Sequence, residues 1–112
     1  MIEVKNIQKS FNGKAIIEDV NAVMKAGQCN LIIGASGSGK TLVSLALTAL
    51  ARRRGQGIQT FKVGPDYLDP QLLSAVSGRP CRNLDPLLCG EAWVARSFQG
   101  FGSRAELALV EG

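Results

Sequence analysis

The chain has 112 residues, a length that accommodates one modest domain. Hydrophobic residues make up 46% of it and charged residues 20%, which is the balance of a globular protein and excludes a disordered tail. The chain contains no histidine, and this excludes an imidazole base, a histidine metal ligand and a Cys-His-Glu triad. The formal net charge of +4 fits an anionic ligand.

Neither a membrane span nor a secretion signal is expected from the sequence. The longest apolar stretch, residues 42–51, is too short and too interrupted by Ser and Thr to cross a bilayer, so we expect a cytoplasmic protein. The odd number of cysteines predicts small buried thiols rather than a disulfide framework. Residues 52–54, three arginines without interleaved aromatic side chains, predict the basic end of a helix rather than a nucleic-acid surface.

The first third of the chain is predicted to be β-structure. Residues 2–7 alternate apolar and polar side chains, and the Asn12-Gly13 pair is a strong turn signal before a returning strand at 15–20. A second turn at 25–27 precedes the apolar run 29–33. That run predicts a strand covered on both faces.

Helices and strands alternate over the rest of the chain. Residues 41–54 predict a largely buried helix followed by Gly55, and residues 58–63 predict a strand. Asp69 and Asp85 each precede a proline, so each is predicted to be a helix N-cap. The remaining predicted elements are helices at 70–76 and 91–98 and a buried strand at 107–110. This order predicts an α/β protein with a mainly parallel sheet and an N-terminal antiparallel hairpin, cut short at its C-terminus.

A phosphate-binding loop is predicted between the strand at 29–33 and the helix at 41–54. Residues 34–41 match the pattern G-x-x-x-x-G-K-[ST] in full, in the strand–loop–helix context that the motif requires. The pattern predicts ATP and Mg²⁺ as bound groups, with a lysine on the phosphates and a threonine hydroxyl on the metal ion. The predicted loop residues are Gly34, Ala35, Ser36, Gly37, Ser38, Gly39, Lys40 and Thr41. The alternative is a Gly/Ser-rich loop that matches the pattern by chance.

Residues 1–41 resemble the opening β-subdomain and phosphate loop of ABC-transporter ATP-binding subunits. The stretches that carry this resemblance are MIEVKNIQKSFNG and AIIEDVNAVMKAGQCNLIIGASGSGKT. The resemblance implies that Phe11 stacks on adenine, with an ordinary apolar hairpin residue as the equal alternative. The signature LSGGQ of that family does not occur in the chain.

Residues 40–112 resemble the N-terminal ATP-binding part of the cobyrinate a,c-diamide synthase family. The stretches are FKVGPDYLDP, SGRPCRNLDPLL and ALVEG. Members of the family amidate corrin carboxylates, using ATP to activate the acid and glutamine as the nitrogen source. The resemblance implies that the catalytic residues are Lys40, Asp66, Asp69 and Glu111, and that Thr41, Asp66 and Glu111 hold the metal ion. The alternatives are a simple turn role for Asp66 and the N-cap role for Asp69.

The two resemblances imply one partial phosphate-loop NTPase domain over residues 1–112. Residues 1–33 form its ABC-like segment and residues 34–112 its synthase-like segment, as in a fusion of two parents. The two resemblances imply different strand orders, which a structure can test. The ABC class has an extra strand between the strand that leads into the loop and the acidic strand. The synthase class places these two strands side by side. We expect a corrinoid partner, no nucleic acid, and a missing glutamine-hydrolysing domain or subunit. The remaining alternatives are an ABC-transporter fragment and an inert phosphate-binding module.

Overall fold

A computed structural model describes residues 2–35 and 37–112 of the chain. The strands are β1 Ile2–Phe11, β2 Lys14–Met24, β3 Cys29–Ile32, β4 Ile58–Val63, β5 Arg82–Leu84 and β6 Leu107–Glu111. The helices are α1 Lys40–Arg53, α2 Leu68–Ser77, α3 Pro86–Cys89 and α4 Glu91–Gly102. The protein is therefore mixed α/β, with a four-stranded parallel sheet and a separate antiparallel hairpin.

The parallel sheet has the strand order β3-β6-β4-β5, so the last strand of the chain lies between two earlier ones. Strand β6 pairs with β3 on one side and with β4 on the other. Its side chains Leu107 and Leu109 are at most 1% exposed, as expected for a strand that has neighbours on both edges. The carboxyl ends of β3, β4 and β6 therefore meet at one edge of the sheet.

The hairpin of β1 and β2 packs its inner face against helix α1 and the sheet. Ile2, Val4 and Met24 join Leu47 of α1 and Leu109 of β6 in one buried cluster. The predicted turn at Asn12-Gly13 is confirmed, and both of its residues have positive φ angles, as a tight hairpin turn requires. Both strands extend beyond their predicted ends, and their pairing contains register shifts after Val4.

Strand β3 differs from its prediction in one respect. It was predicted to be covered on both faces, but it lies at the edge of the sheet, and Leu31 and Ile33 are 55% and 75% exposed. An apolar run indicates a strand but does not determine which position the strand takes in the sheet. Strand β5 had no counterpart among the predicted elements, because the sequence Arg-Asn-Leu carries no apolar alternation.

Helix α1 ends as predicted, whereas its predicted burial is wrong. Gly55 has φ 73, and the N–H of Gln56 donates to Ala51 O at 3.0 Å, which is the glycine-terminated helix end of the prediction. The helix buries only one face, and Leu42 on the other face is 41% exposed. Asp85 is confirmed as an N-cap, because its carboxylate accepts from the N–H groups of residues 87 and 88.

The cysteines also differ from their prediction as buried apolar side chains. Cys29 and Cys89 are exposed, and Cys81 is half-buried. Burial raises the pKa of the Cys81 thiol above its usual value of 9.0. Within residues 2–35 and 37–112, no helix combines the length and the apolar character that crossing a bilayer requires.

Candidate functional site

The segment from β3 to α1 folds back on itself. Gly37 and Gly39 have φ angles of 79° and 88°, the left-handed region that favours glycine. The Ser38 N–H donates to Ala35 O at 3.1 Å, and the Lys40 ammonium donates to Gly34 O at 2.9 Å. The Lys40 side chain therefore spans the loop and meets the residue at its start. Ser36, predicted to be part of this loop, lies outside the described residues.

A cavity of about 550 Å³ opens beside this loop. Its lining combines loop residues with polar residues from β4 and the start of α2: Ile16, Gly37, Gly39, Lys40, Thr41, Leu42, Lys62, Asp66 and Asp69. The cavity lies at the carboxyl edge of the parallel sheet, where ligands of open α/β sheets bind. The structure thus brings four of the eight predicted loop residues and two of the predicted acidic residues to one cavity.

Thr41 joins three elements at this edge. Its hydroxyl lies 2.6 Å from Glu111 Oε1 at the end of β6 and 3.2 Å from Asp69 Oδ2 in the first turn of α2. A hydroxyl carries one proton, so it donates to one of these carboxylates and keeps lone pairs for a further partner. The contact links residues that are 70 positions apart in the sequence.

Lys62 lies among these acidic side chains, a position that the sequence analysis did not predict. Its ammonium lies 3.1 Å from Glu111 Oε1, 3.2 Å from Asp69 Oδ2 and 3.5 Å from Asp66 Oδ2. The Lys62 side chain is 7% exposed and that of Glu111 is fully buried, so this is an internal ion cluster. The signal in the sequence was a lysine inside the predicted strand 58–63, followed by aspartates four and seven residues later.

The protonation states in the cluster follow from these contacts. Burial lowers the pKa of Lys62, but hydrogen bonds to Glu111 and Asp69 outweigh burial and raise that pKa above 10.5. Burial raises the pKa of Asp66, but hydrogen bonds from Asp69 and the charge of Lys62 outweigh it, so the pKa falls below 3.8. At neutral pH, Lys62 is therefore an ammonium and Asp66 a carboxylate.

The start of α2 is capped by Asp66 and not by Asp69 as predicted. Asp69 was predicted to be a helix N-cap, and this is wrong, because it lies inside the first turn of α2. Asp66 Oδ1 instead accepts from the N–H groups of Leu68 at 3.1 Å and Asp69 at 3.4 Å, which satisfies the helix start. The Asp69 carboxylate is thereby left to contact Thr41 and Lys62.

The residues beside Thr41 fit a magnesium ion that also has phosphate ligands. Among the described residues, Glu111 Oε2 is buried without a hydrogen-bond partner, and Thr41 has free lone pairs. Oxygen atoms of this kind are the ligands that Mg²⁺ prefers, usually together with substrate phosphates and water. In the described part of the chain, no three acidic or cysteine side chains are arranged to hold a metal by themselves. A metal ion here therefore needs oxygen ligands from a nucleotide.

Phe11 lies away from the cavity lining. It ends β1 beside the hairpin turn, pairs with Lys14 and is 64% exposed. Among the described hairpin residues, Ile16 lines the cavity next to the loop and Phe11 does not. Stacking of Phe11 on adenine stays a prediction.

Comparison with proteins of assigned function identifies similar sequences. Cobyrinate a,c-diamide synthase of Syntrophotalea carbinolica is 56% identical over 77 residues, which are 69% of this chain and 17% of that protein. The synthase of the same name from Synechocystis sp. is 49% identical over 77 residues, 69% of this chain and 16% of that protein. Hydrogenobyrinate a,c-diamide synthase of Mycobacterium bovis is 42% identical over 78 residues, 70% of this chain and 17% of that protein.

About 70% of this chain is thus similar to corrinoid a,c-diamide synthases. The matched segment spans 16–17% of the length of these relatives. No family model and no solved structure matches the chain. These relatives support the synthase resemblance stated for residues 40–112, whereas the ABC-transporter resemblance of residues 1–41 stays a prediction.

Proposed function

We propose that the chain is the Mg-ATP-binding segment of an enzyme that amidates corrin carboxylates. The observation that carries this proposal is the meeting of Thr41, Asp69 and Glu111 beside the loop of residues 34–41. Under the proposal, residues 1–112 are one partial domain of the phosphate-loop NTPase type, with the ABC-like segment at 1–33. The 42–56% identity to corrinoid a,c-diamide synthases gives the substrate class.

The strand order supports the synthase resemblance over the ABC resemblance. Strand β3, which leads into the loop, pairs directly with β6, which ends in Glu111. The synthase class places these two strands side by side, whereas the ABC class has another strand between them. The hairpin forms its own two-stranded sheet and adds no strand between β3 and β6.

The residues have separate roles in the proposed site. Lys40 moves from Gly34 O to the β- and γ-phosphates, and the loop N–H groups bind phosphate oxygens. Thr41, Asp69 and Glu111 would hold Mg²⁺ directly or through its water molecules, with Asp66 fixing the start of α2. When bound, Mg²⁺ neutralises charge on the transferred phosphoryl group.

The proposed reaction has two group-transfer steps. A corrin carboxylate oxygen attacks the γ-phosphorus of ATP, the bond to the β,γ-bridging oxygen breaks, and ADP leaves with that electron pair. Ammonia then attacks the acyl carbon, the bond to the phosphate oxygen breaks, and the amide nitrogen releases a proton to solvent. Lys40 and the loop N–H groups stabilise negative charge on the phosphates during the first step.

Isothermal titration calorimetry with Mg-ATP tests the binding part of the proposal. Lys40→Ala is expected to weaken ATP binding at least tenfold, about 1.4 kcal/mol, because a charged phosphate contact is lost. The matched control is Lys9→Ala, which removes an exposed hairpin lysine and is expected to bind as the unaltered chain does. Equal heats for the unaltered chain and Lys40→Ala, or no heat from either, would contradict the proposal.

An amidation assay tests the chemical part. We expect this chain alone to make no amide from glutamine, because it has no histidine to activate a cysteine nucleophile. Ammonia is the nitrogen source that the proposed chemistry permits. The assay follows corrin amide formation by mass spectrometry with ATP and either ammonium chloride or glutamine. Robust glutamine use by this chain would refute the assignment of roles.

A further inference from the structure

The Lys62 ammonium lies among three acidic side chains: it donates hydrogen bonds to Asp69 and Glu111 and forms an ion pair with Asp66. An ammonium has three N–H donors, and Lys62 has three acidic neighbours: Asp66, Asp69 and Glu111. With the side chain 7% exposed, an outside ligand would compete with these carboxylates for the ammonium. Lys62 therefore acts on the protein and not on a substrate in this state.

The ammonium also occupies the place among the carboxylate oxygens that a cation shared by them would take. They are 3.1–3.5 Å from Lys62 Nζ, whereas Mg²⁺ needs oxygen atoms at about 2.0–2.1 Å. Asp66 and Asp69 lie at the start of α2, and their side chains are 33% and 22% exposed. Glu111 is fully buried and ends the central strand β6, so it stays in place.

We propose that Lys62 is the resident counter-cation of this carboxylate cluster and excludes a divalent metal ion from it until a nucleotide brings phosphate oxygens. The inference rests on the proposed metal site beside Thr41. One ammonium among three carboxylates lowers the negative charge that attracts a free cation and occupies the place between them. Lys62 is thus a positioning residue that makes metal binding depend on the nucleotide.

Titration with Mn²⁺ in the absence of nucleotide, followed by electron paramagnetic resonance, tests this role. Lys62→Met keeps the aliphatic length of the side chain and removes the charge. We expect it to bind Mn²⁺ at least tenfold more tightly than the unaltered chain, because three carboxylates then lack a counter-ion. Lys9→Met, on the exposed hairpin, is the matched control and is expected to leave Mn²⁺ affinity unchanged.

The melting temperature provides a second test of the same role, which applies also if Lys62→Met is less stable than the unaltered chain. Removing the ammonium leaves the buried Glu111 carboxylate uncompensated, so the melting temperature of the variant is expected to fall. Millimolar Mn²⁺ is expected to raise it again in Lys62→Met but not in the unaltered chain. The inference is overturned by an affinity within twofold of the unaltered chain, or by a variant that Mn²⁺ does not stabilise.

A double variant identifies the carboxylate that takes the metal ion. Lys62→Met with Glu111→Gln removes both buried charges, and we expect the gain in Mn²⁺ affinity to disappear. An unchanged gain would overturn the role of Glu111 in the cluster. None of these measurements contains ATP. A failure of the chain to bind ATP would therefore refute the proposed function, and the Mn²⁺ titrations would still test the role of Lys62.

Discussion

The hairpin and the parallel sheet differ in how buried their strands are and how regular their backbones are. The hairpin strands are mostly exposed, and Asn6, Asn12 and Asp19 adopt positive φ angles in or between them. In β4, by contrast, five of six residues are buried, and four of five are buried in β6. Irregular backbone is tolerated where water satisfies the polar groups, whereas the buried sheet requires regular pairing.

The comparison shows that covering a core and building a site are separate tasks in this protein. The hairpin buries Ile2, Val4 and Met24 against the sheet, and it contributes Ile16 to the cavity lining. The ionisable side chains at the site come from the helices and strands after residue 39. The two regions meet where Ile17 packs against the loop at Gly39.

The largest effect is expected from core substitutions in both regions. Leu109→Ala in the sheet and Met24→Ala in the hairpin should each lower the free energy of unfolding by about 2–5 kcal/mol, because both side chains are at most 1% exposed. The control Val23→Ala, 47% exposed on the hairpin, should change it by less than about 0.5 kcal/mol. Urea unfolding followed by circular dichroism measures all three. A negligible effect of Met24→Ala would show that the hairpin is not part of the core.

The junction of the two regions is tested at two glycines of the loop. Gly37→Ala places an alanine at φ 79 with open space around it, which should cost about 1–2 kcal/mol of stability. Gly39→Ala adds a Cβ 2.8 Å from Ile17, so it should cost about 1–3 kcal/mol more. The same urea unfolding measures the difference. Equal losses for the two variants would mean that the hairpin yields at this contact.

The pH dependence of stability provides a smaller test at the edge of the sheet. The folded state lowers the pKa of Asp66 below 3.8, so its contribution is full above that pH and is lost as pH falls through the lower folded value. Between pH 5 and pH 3, the unaltered chain should therefore lose more stability than Asp66→Asn does. Urea unfolding at both pH values measures this. Parallel losses in the two proteins would contradict the role of Asp66 at the start of α2.

The smallest effect is expected from Phe11 at the far end of the hairpin. Because Phe11 is 64% exposed and does not line the cavity in the described chain, Phe11→Ala should change ATP affinity less than twofold. Isothermal titration calorimetry of Mg-ATP, with Lys14→Ala as a control at the same turn, measures this. A tenfold loss would support adenine stacking and the ABC-like assignment of the hairpin.

The sequence predicted the elements better than their positions in the fold. Strand β4 has its predicted limits, and helix α1 begins one residue earlier than predicted and ends at the expected glycine, because these signals are local. The edge position of β3 was not predictable, since it depends on β6, which follows some 75 residues later.

For the candidate site, too, the local signals were predicted and the long-range contacts were not. The loop 34–41 is a contiguous motif and was predicted as such, together with the acidic residues that the synthase resemblance indicates. The cluster around Lys62 joins residues 49 positions apart, and no local pattern encodes that contact. The Asp-Pro pair at residue 69 also indicated an N-cap that Asp66 provides instead, because two aspartates three residues apart compete for one helix start.

The central position of β6 determines when the molecule can assemble. Strands β3 and β4 do not pair with each other, and each hydrogen-bonds to β6, which comprises residues 107–111. During synthesis, β3 and the β6-facing edge of β4 therefore stay unpaired until residues 107–111 have left the ribosome. Such long-range pairing slows folding, because a large loop closes before the β3–β6 contact stabilises it. The strand that brings Glu111 to Thr41 is also the one that joins β3 to β4, so this junction and the Thr41–Glu111 contact form in the same event.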